Sequence, residues 1–428
     1  MEPSAGRPSA WILIIVVAVA VRLGAGAWWQ SRLAANEPFY FGDSESYWAL
    51  GKAIAHGGPY QYESPEARVF RTPGYPLMLA GLFRVFGDDP PVMSARALSA
   101  VLGALAVGIV GWWTTHLFDG RTGRSAGWIA ALYPGAVSMG AFVLSEAPFC
   151  PFMLLQLALW GLAWRAPSNE RAIALGVAGG IAGGIATLVR PSWLLFTPFA
   201  LVIAMAFDKQ RARQALVGAA MCAAVALCML PWWVRNMRVT GHFVATTLQV
   251  GASLYDALNP DADGGSDMNF IPRFAAQQHA FDTMGPDSEF EYRLNRRLQR
   301  AAVEWAMANP ARAAQLAGIK FVRIWNVWPN EPSLRSWPLR LVVFVTYTPL
   351  LCLGIVGAWR FTRLGWPYLL AWLPAVYFTL VHLVFVGSLR YREPAMLALV
   401  ALAAGVLATG STRIPEKEEK IVPETPPG

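Results

Sequence analysis

Apolar residues run through this chain in blocks near twenty residues long, separated by short polar turns and by two long polar stretches. A helix of about 20 apolar residues spans roughly 30 Å of hydrocarbon. By that measure the blocks at 11–29, 92–118, 126–144, 147–164, 172–189, 192–207, 215–233, 338–358, 367–386 and 394–409 predict about ten transmembrane helices. The first block contains Arg22 and ends in Trp28–Trp29, which fits a span with an interfacial aromatic anchor better than a cleaved leader. An arginine inside a span is expected to face the bundle interior. The polar stretches hold shorter elements. Residues 44–56 predict a helix with Asp43 as N-cap and Gly57–Gly58 as stop. Residues 75–86 and 310–328 are amphipathic or too short to span, so they are expected to lie in the membrane interface. The stretch 256–289, rich in Asp, Gly and Asn, reads as a mobile or ligand-gated loop, and the Gly-rich run 176–184 as close helix packing.

Charge sets the orientation. Basic residues concentrate in the loops 119–124, 164–171, 208–213 and 359–363 and in the tail with Arg413, Lys417 and Lys420, all on one side of the predicted topology. The positive-inside tendency makes that side cytoplasmic. The loops 30–91 and 234–337 then fall outside, and the chain reads as one polytopic membrane domain, 1–410, with a disordered cytoplasmic tail, 411–428. Composition agrees: 55% of residues are hydrophobic and 14% charged, against about 25% charged in soluble domains. A net charge of +8 without a basic face on a soluble fold points to topology and anionic lipid, not to nucleic acid. Cys150, Cys222, Cys228 and Cys352 sit in apolar runs with no metal-ligand spacing and read as small apolar residues.

Chemistry is expected on the outer side, where polar groups meet apolar helices. Asp43, at a helix N-terminus, would be held ionised by the helix dipole and so could take a proton from an acceptor hydroxyl or hold a metal. Glu146 sits in the hairpin Leu144–Pro148 and presents a second carboxylate at the same face. Arg68, Arg71, Arg190, Arg235, Arg238, Arg390 and Arg392 run against the positive-inside trend, and the guanidinium fork suits phosphate oxygens. Acids, arginines and apolar helices at an outer face suit a lipid-phosphate substrate. A polyprenyl-phosphate sugar meets that need: the acceptor hydroxyl attacks the anomeric carbon, a carboxylate takes its proton and arginine steadies the departing phosphate. Tyr47, one turn from Asp43, would shape the same side of the site.

The segments GDSESYW (42–48), RTPGYPLMLAGLFRVFG (71–87), LSEAPF (144–149), PWWVRNMRVTGHFV (231–244) and SLRYREPAM (388–396) give the chain a resemblance to the GT-C membrane glycosyltransferases. More narrowly, it resembles the bacterial relatives of dolichyl-phosphate-mannose–protein mannosyltransferases and of the lipid A aminoarabinose transferase. The resemblance covers about 10 to 410. It implies an all-α integral membrane bundle with interface helices in the first and in a long later extracytoplasmic loop, and an inverting transfer from a polyprenyl-phosphate sugar. The family's first-loop acid falls on Asp43, with Glu45 in the place of a second acid. Glu146 matches an acid near the donor sugar. Arg71, Arg190, Arg235, Arg390 and Arg392 become candidates for phosphate or sugar contacts. A divalent metal, held by Asp43 and Glu45 if anywhere, is left open, since the Asp-Ser-Glu order departs from the Asp-X-Asp or Asp-Glu of some relatives. The large soluble C-terminal domain of oligosaccharyltransferases is not seen in the sequence, and the expectation is against protein N-glycosylation. The resemblance implies a multi-pass protein of the inner or plasma membrane with an extracytoplasmic site, a lipid-linked donor, and a glycolipid, protein or polymer as acceptor. A surface-polysaccharide ligase or polymerase with a lipid-linked oligosaccharide donor, and a lipid or solute transporter, stay open as other readings.

Overall fold

The computed structural model of the protein describes residues 8–34, 37–282, 289–329 and 336–410; the expected tail, 411–428, and part of the loop 256–289 lie outside them. All regular structure among the described residues is helical. The chain starts with α1 (Pro8–Gln30), then α2 (Gly42–Ala55) and α3 (Gly74–Phe86) in the first polar stretch, and α4 (Val92–Leu117). There follow α5 (Gly120–Leu132), α6 (Pro134–Ala141), α7 (Glu146–Trp164), α8 (Asn169–Val189), α9 (Phe196–Phe207) and α10 (Arg211–Thr240). The second polar stretch folds into α11 (Val250–Ala257), α12 (Ile271–Phe281), α13 (Phe290–Ala308) and α14 (Pro310–Trp325). The chain closes with α15 (Trp337–Phe361), α16 (Trp366–Leu369), α17 (Leu373–Val384) and α18 (Glu393–Thr409).

Six helices, α1, α4, α7, α8, α10 and α15 with its short extension, are long and apolar enough to cross a membrane. Four apolar helices are shorter: α3, the segment Pro191–Phe207 that contains α9, α17 and α18. The other expected spans differ from simple rods for local reasons. The block 126–144 breaks between α5 and α6 because Pro134 has no N–H to continue the ladder. Arg22 repairs the break. The carbonyl of Ala130, whose helical partner would be the nitrogen of Pro134, accepts from Arg22 Nη2 at 3.1 Å, and those of Ala131 and Ala18 accept from Nη1 at 3.1 Å. Arg22 is 1% exposed and so faces the interior, as expected of a charge in a span. The block 367–386 likewise divides into α16 and α17, each with a proline in its first turn.

The core lies among α4, α7, α18 and the residues after α8, around Trp113, Trp160, Phe149 and the stacked pair Trp193 and Phe196. α8 lies along α10 through glycines spaced four apart, as the run 176–184 implied. A Cβ on Gly180 would stand 2.5 Å from the Met221 carbonyl, and one on Gly184 2.4 Å from the Cβ of Cys228. Cys150 is buried while Cys352 is exposed on its helix, so the thiols are not uniformly interior.

Two expectations change in the second polar stretch. The described part of 256–289 is a packed element: Tyr255, Phe270 and Phe274 join Leu298 and Ala302 of α13 in a small apolar cluster. Asp256 ties the turn by accepting from Ser266 Oγ and Asp267 N, both at 2.7 Å. In α14, Lys320 is 0% exposed and does not ride the interface. Its ammonium donates to the carbonyls of Leu383 and Val384 at 3.3 and 3.2 Å, the free carbonyls that end α17.

Candidate active site

The helix after Phe41 starts at Gly42, so Asp43 lies inside its first turn and does not cap it. Its carboxylate turns instead to two arginines. Oδ1 accepts from Arg71 Nη2 at 2.7 Å and Oδ2 from Arg390 Nη2 at 2.9 Å. Burial works to raise the Asp43 carboxyl, but the guanidinium groups of Arg71 and Arg390 outweigh it and hold it well below the usual carboxylate range.

Arg71 arrives on the turn before α3, whose first residue packs close on the bundle: a Cβ on Gly74 would lie 2.5 Å from the Leu188 carbonyl carbon. Each Arg71 nitrogen has a partner. Nε donates to Ser46 Oγ at 3.0 Å and Nη1 to Gln249 Oε1 at 2.6 Å, besides the bond to Asp43. Its plane lies over the ring of Tyr47, 5.0 Å away. The Tyr47 hydroxyl reaches Ser145 Oγ at 3.5 Å.

Glu146 opens α7 and is 3% exposed. Its Oε1 lies 3.2 Å from Arg190 Nη1 and 3.6 Å from Arg390 Nε. Arg190 is delivered by the end of α8, where the backbone leaves the helix at φ −136° and ψ 101°. Arg390 sits on the short 3-10 turn between α17 and α18 and contacts both acids, Asp43 and Glu146. Burial works to lower the Arg390 guanidinium, but the neighbouring Tyr391, Glu146 and Asp43 outweigh it and hold it protonated. The nitrogens Arg390 Nη1 and Arg190 Nε make no hydrogen bond among the described residues.

These side chains line one cavity of about 620 Å³. Asp43, Tyr47, Arg71, Glu146, Arg190, Arg390 and Tyr391 form its polar end, and Leu194, Leu195, Val381, Phe385 and Val386 an apolar wall. Much of the rest comes from the turn 243–250 and one face of α13.

Of the residues that the family resemblance named, three lie elsewhere. Arg392 is 1% exposed, and its donors go to the carbonyls of Ile324 and Asn326, at 3.0 and 2.7 Å, and to Glu393. Its guanidinium lies 3.5 Å from the Tyr347 ring centre. Arg235 packs on Tyr60 and Trp232 and donates to the Tyr60 carbonyl at 3.3 Å. Glu45 is exposed on the outer face of α2. Among the described residues no three His, Cys, Asp or Glu side chains gather as a metal site. The pair Asp43 and Glu45 does not suit a divalent cation, because guanidinium groups already bond both Asp43 oxygens and Glu45 points away from the cavity.

Ser145, Gln249 and Tyr391 were not singled out by the sequence. Ser145 and Tyr391 adjoin residues that were, inside the segments LSEAPF and SLRYREPAM, and that adjacency was the available signal. Gln249 carries none, since it meets Arg71 across 178 residues of chain.

Residues 70–234, under half of the chain, match the sequence profile of the family described as dolichyl-phosphate-mannose-protein mannosyltransferase. No curated protein sequence matches the chain. The oligosaccharyltransferase of Archaeoglobus fulgidus in the apo form aligns with 95% of this chain at 16% identity and a TM-score of 0.57. The archaeal oligosaccharyltransferase AglB from Archaeoglobus fulgidus, in complex with an inhibitory peptide and a dolichol-phosphate, aligns with 93% of this chain at 16% identity and a TM-score of 0.58. The chain spans about half the length of these structures, 51% and 50%. ArnT from Cupriavidus metallidurans bound to undecaprenyl phosphate aligns with 98% of this chain and 82% of its own at 16% identity, with a TM-score of 0.44. The chain thus has a fold like that of the GT-C membrane glycosyltransferases, and over residues 70–234 it carries the sequence pattern of the dolichyl-phosphate-mannose-protein mannosyltransferase family.

Proposed function

We propose that the protein is an inverting glycosyltransferase that moves a sugar from a polyprenyl-phosphate donor to an acceptor hydroxyl at the extracytoplasmic face of the cell membrane. The observation that carries this reading is the convergence of Asp43, Glu146, Arg71, Arg190 and Arg390 on one cavity with an apolar wall. The archaeal neighbour of like fold is solved with dolichol-phosphate, which supports a lipid phosphate here.

The prenyl chain lies along Leu194, Leu195, Val381 and Phe385, where Leu195 is 64% exposed. The phosphate takes the guanidinium groups of Arg71, Arg390 and Arg190. Its oxygens compete for the same N–H groups that hold the Asp43 carboxylate, and a carboxylate released from two cations becomes more basic. Asp43 then accepts the acceptor's proton while the acceptor oxygen bonds to the anomeric carbon and the bond from that carbon to the phosphate oxygen breaks. The electron pair leaves on polyprenyl phosphate, steadied by the arginines. Glu146, paired with Arg190, holds the sugar hydroxyls. General-base help contributes about 10²–10⁴ in rate, and each preorganised donor on the leaving phosphate about 10²–10³. The concentration of basic residues in the loops of the opposite side supports an extracytoplasmic location for this face.

The test is a panel of polyprenyl-phosphate sugars offered to the purified protein with a crude acceptor fraction, with free polyprenyl phosphate as competitor. Release of polyprenyl phosphate from one donor, inhibited by the competitor, supports the reading. Folded protein that releases it from none overturns the reading.

A further inference from the structure

Beyond the charged end, the cavity continues along α13, where its lining is rich in hydrogen-bond donors. Gln249, Asn295 and Gln299 all line it. Each has its amide oxygen engaged by a donor of the protein. Gln249 Oε1 accepts from Arg71 Nη1 at 2.6 Å, Asn295 Oδ1 from Gly251 N at 2.7 Å, and Gln299 Oε1 from Arg296 Nη1 at 3.2 Å. An N–H can bond only to the oxygen of a carboxamide, so all three orientations are set by their partners. The three NH₂ groups are left over. None makes a hydrogen bond among the described residues, although Asn295 is only 4% exposed.

The row extends. Tyr292, Asn295, Arg296, Gln299 and Val303 follow the three-and-four spacing of one helix face. A second cavity of about 350 Å³ shares Arg296 and Gln299 with the first and adds Leu254, Arg300, Val303 and Glu304. Arg300 is exposed and has no ion pair among the described residues. From Tyr292 to Val303 the face runs about 16 Å at 1.5 Å per residue. The facing turn adds few acceptors, because the carbonyls of Val244, Ala245 and Thr246 already accept from Asn236, Trp233 and Trp232.

We infer that this face of α13 is the acceptor track, and that it takes an anionic carbohydrate, a sugar chain bearing carboxylate or phosphate groups. The assignment as acceptor rests on the transfer reading above, because the track leads into the cavity of Asp43. The chemistry rests on the donors: ring and hydroxyl oxygens accept from the amide NH₂ groups, and acid groups meet Arg296 and Arg300. An extended peptide suits the track less, since its own N–H groups need acceptors that this lining holds few of.

The experiment measures equilibrium binding to the full chain in lipid nanodiscs, with no donor present. The probes are tetragalacturonate, maltotetraose and an uncharged Ser/Thr peptide. Tetragalacturonate is expected to bind at least tenfold more tightly than either of the others. The double variant R296Q/R300Q is expected to lose at least tenfold of that affinity, and Gln299→Leu, which removes one amide and no charge, about threefold. The same tetrasaccharide coupled to lipid in vesicles separates a glycolipid source from a soluble one, and binding of either form supports the chemistry. Equal binding of acidic and neutral sugar, preference for the peptide, or wild-type affinity in R296Q/R300Q overturns the inference. The two readings fail separately. Sugar binding without donor turnover supports the track and removes the transfer reading, whereas turnover without sugar binding removes the track alone.

Discussion

Arg390 is the side chain that contacts both acids, and its replacement gives the most informative perturbation. In Arg390→Gln, Asp43 keeps Arg71 at 2.7 Å and Glu146 keeps Arg190 at 3.2 Å, so neither carboxylate is left without a cation. The stability cost is therefore held to the loss of one charge-assisted bond at a partly exposed side chain, about 1–2 kcal/mol. Turnover falls far more. A preorganised donor on the leaving phosphate accounts for about 10²–10³ in kcat, or roughly 3–4 kcal/mol. Arg390→Lys recovers little, because a compact ammonium lacks the planar fork whose separate nitrogens lie toward Asp43 and Glu146. The acid limb of the rate profile also moves. Arg71 and Arg390 hold the Asp43 carboxyl well below its usual range, so its carboxylate form persists far into acid. With Arg390 gone the carboxyl rises, and activity is lost at a higher pH on the acid side. The assay is steady-state release of polyprenyl phosphate across pH, with thermal unfolding measured on the same samples. A folded Arg390→Gln protein with kcat within threefold of wild type and an unmoved acid limb would refute the reasoning.

Arg22→Met removes the donors from the carbonyls of Ala18, Ala130 and Ala131. Thermal unfolding should show a loss of about 2–5 kcal/mol, since an unsatisfied buried acceptor costs about 1–3 kcal/mol; an unchanged midpoint would contradict the repair of the Pro134 break. Gly74→Ala puts a Cβ 2.5 Å from the Leu188 carbonyl carbon, so overpacking of about 1–3 kcal/mol is expected, with turnover falling as Arg71 shifts. Glu291 accepts the backbone N–H groups of Arg68 and Val69 at 2.8 and 2.9 Å, yet burial pushes its carboxyl up to about 7 from 4.5. Between those values the folded state binds more protons than the unfolded one, so stability is fully present below pH 4.5 and is lost as pH rises through about 7. Glu291→Gln keeps an acceptor for both N–H groups, and its unfolding midpoint should flatten over that window where the wild type's declines.

Much of the bundle could be read from apolar run lengths, because spanning a fixed thickness imposes a fixed length. Two runs of the right length divide into two helices at prolines, while α7, α10 and α15 each continue through an interior proline. The block 126–144 is apolar throughout, but Pro134 divides it, and the periodicity carries no trace of the arginine from α1 that mends it. At the site, Asp43 and Arg71 lie 28 residues apart and fall within neighbouring motifs, whereas Arg390 comes from 347 residues away. Their meeting is a property of the packed bundle. Arg390 and Arg392 looked interchangeable, yet the 3-10 turn ends at Tyr391, so one faces the cavity and the other the interior behind Ile324. The amides of α13 gave no signal at all: nothing in the sequence marks Asn295 and Gln299, which share a cavity with the turn 243–250 only in the folded chain.

The central claim is that Asp43 does chemistry at a lipid-phosphate site, and one comparison tests it directly. Wild type and Asp43→Asn are each given the donor that wild type turns over, and both binding of polyprenyl phosphate and its release from the donor are measured. The account predicts that Asp43→Asn still binds the lipid phosphate, with two arginines freed of their carboxylate, while its release rate falls by about 10²–10⁴. Release at the wild-type rate from folded Asp43→Asn would contradict it.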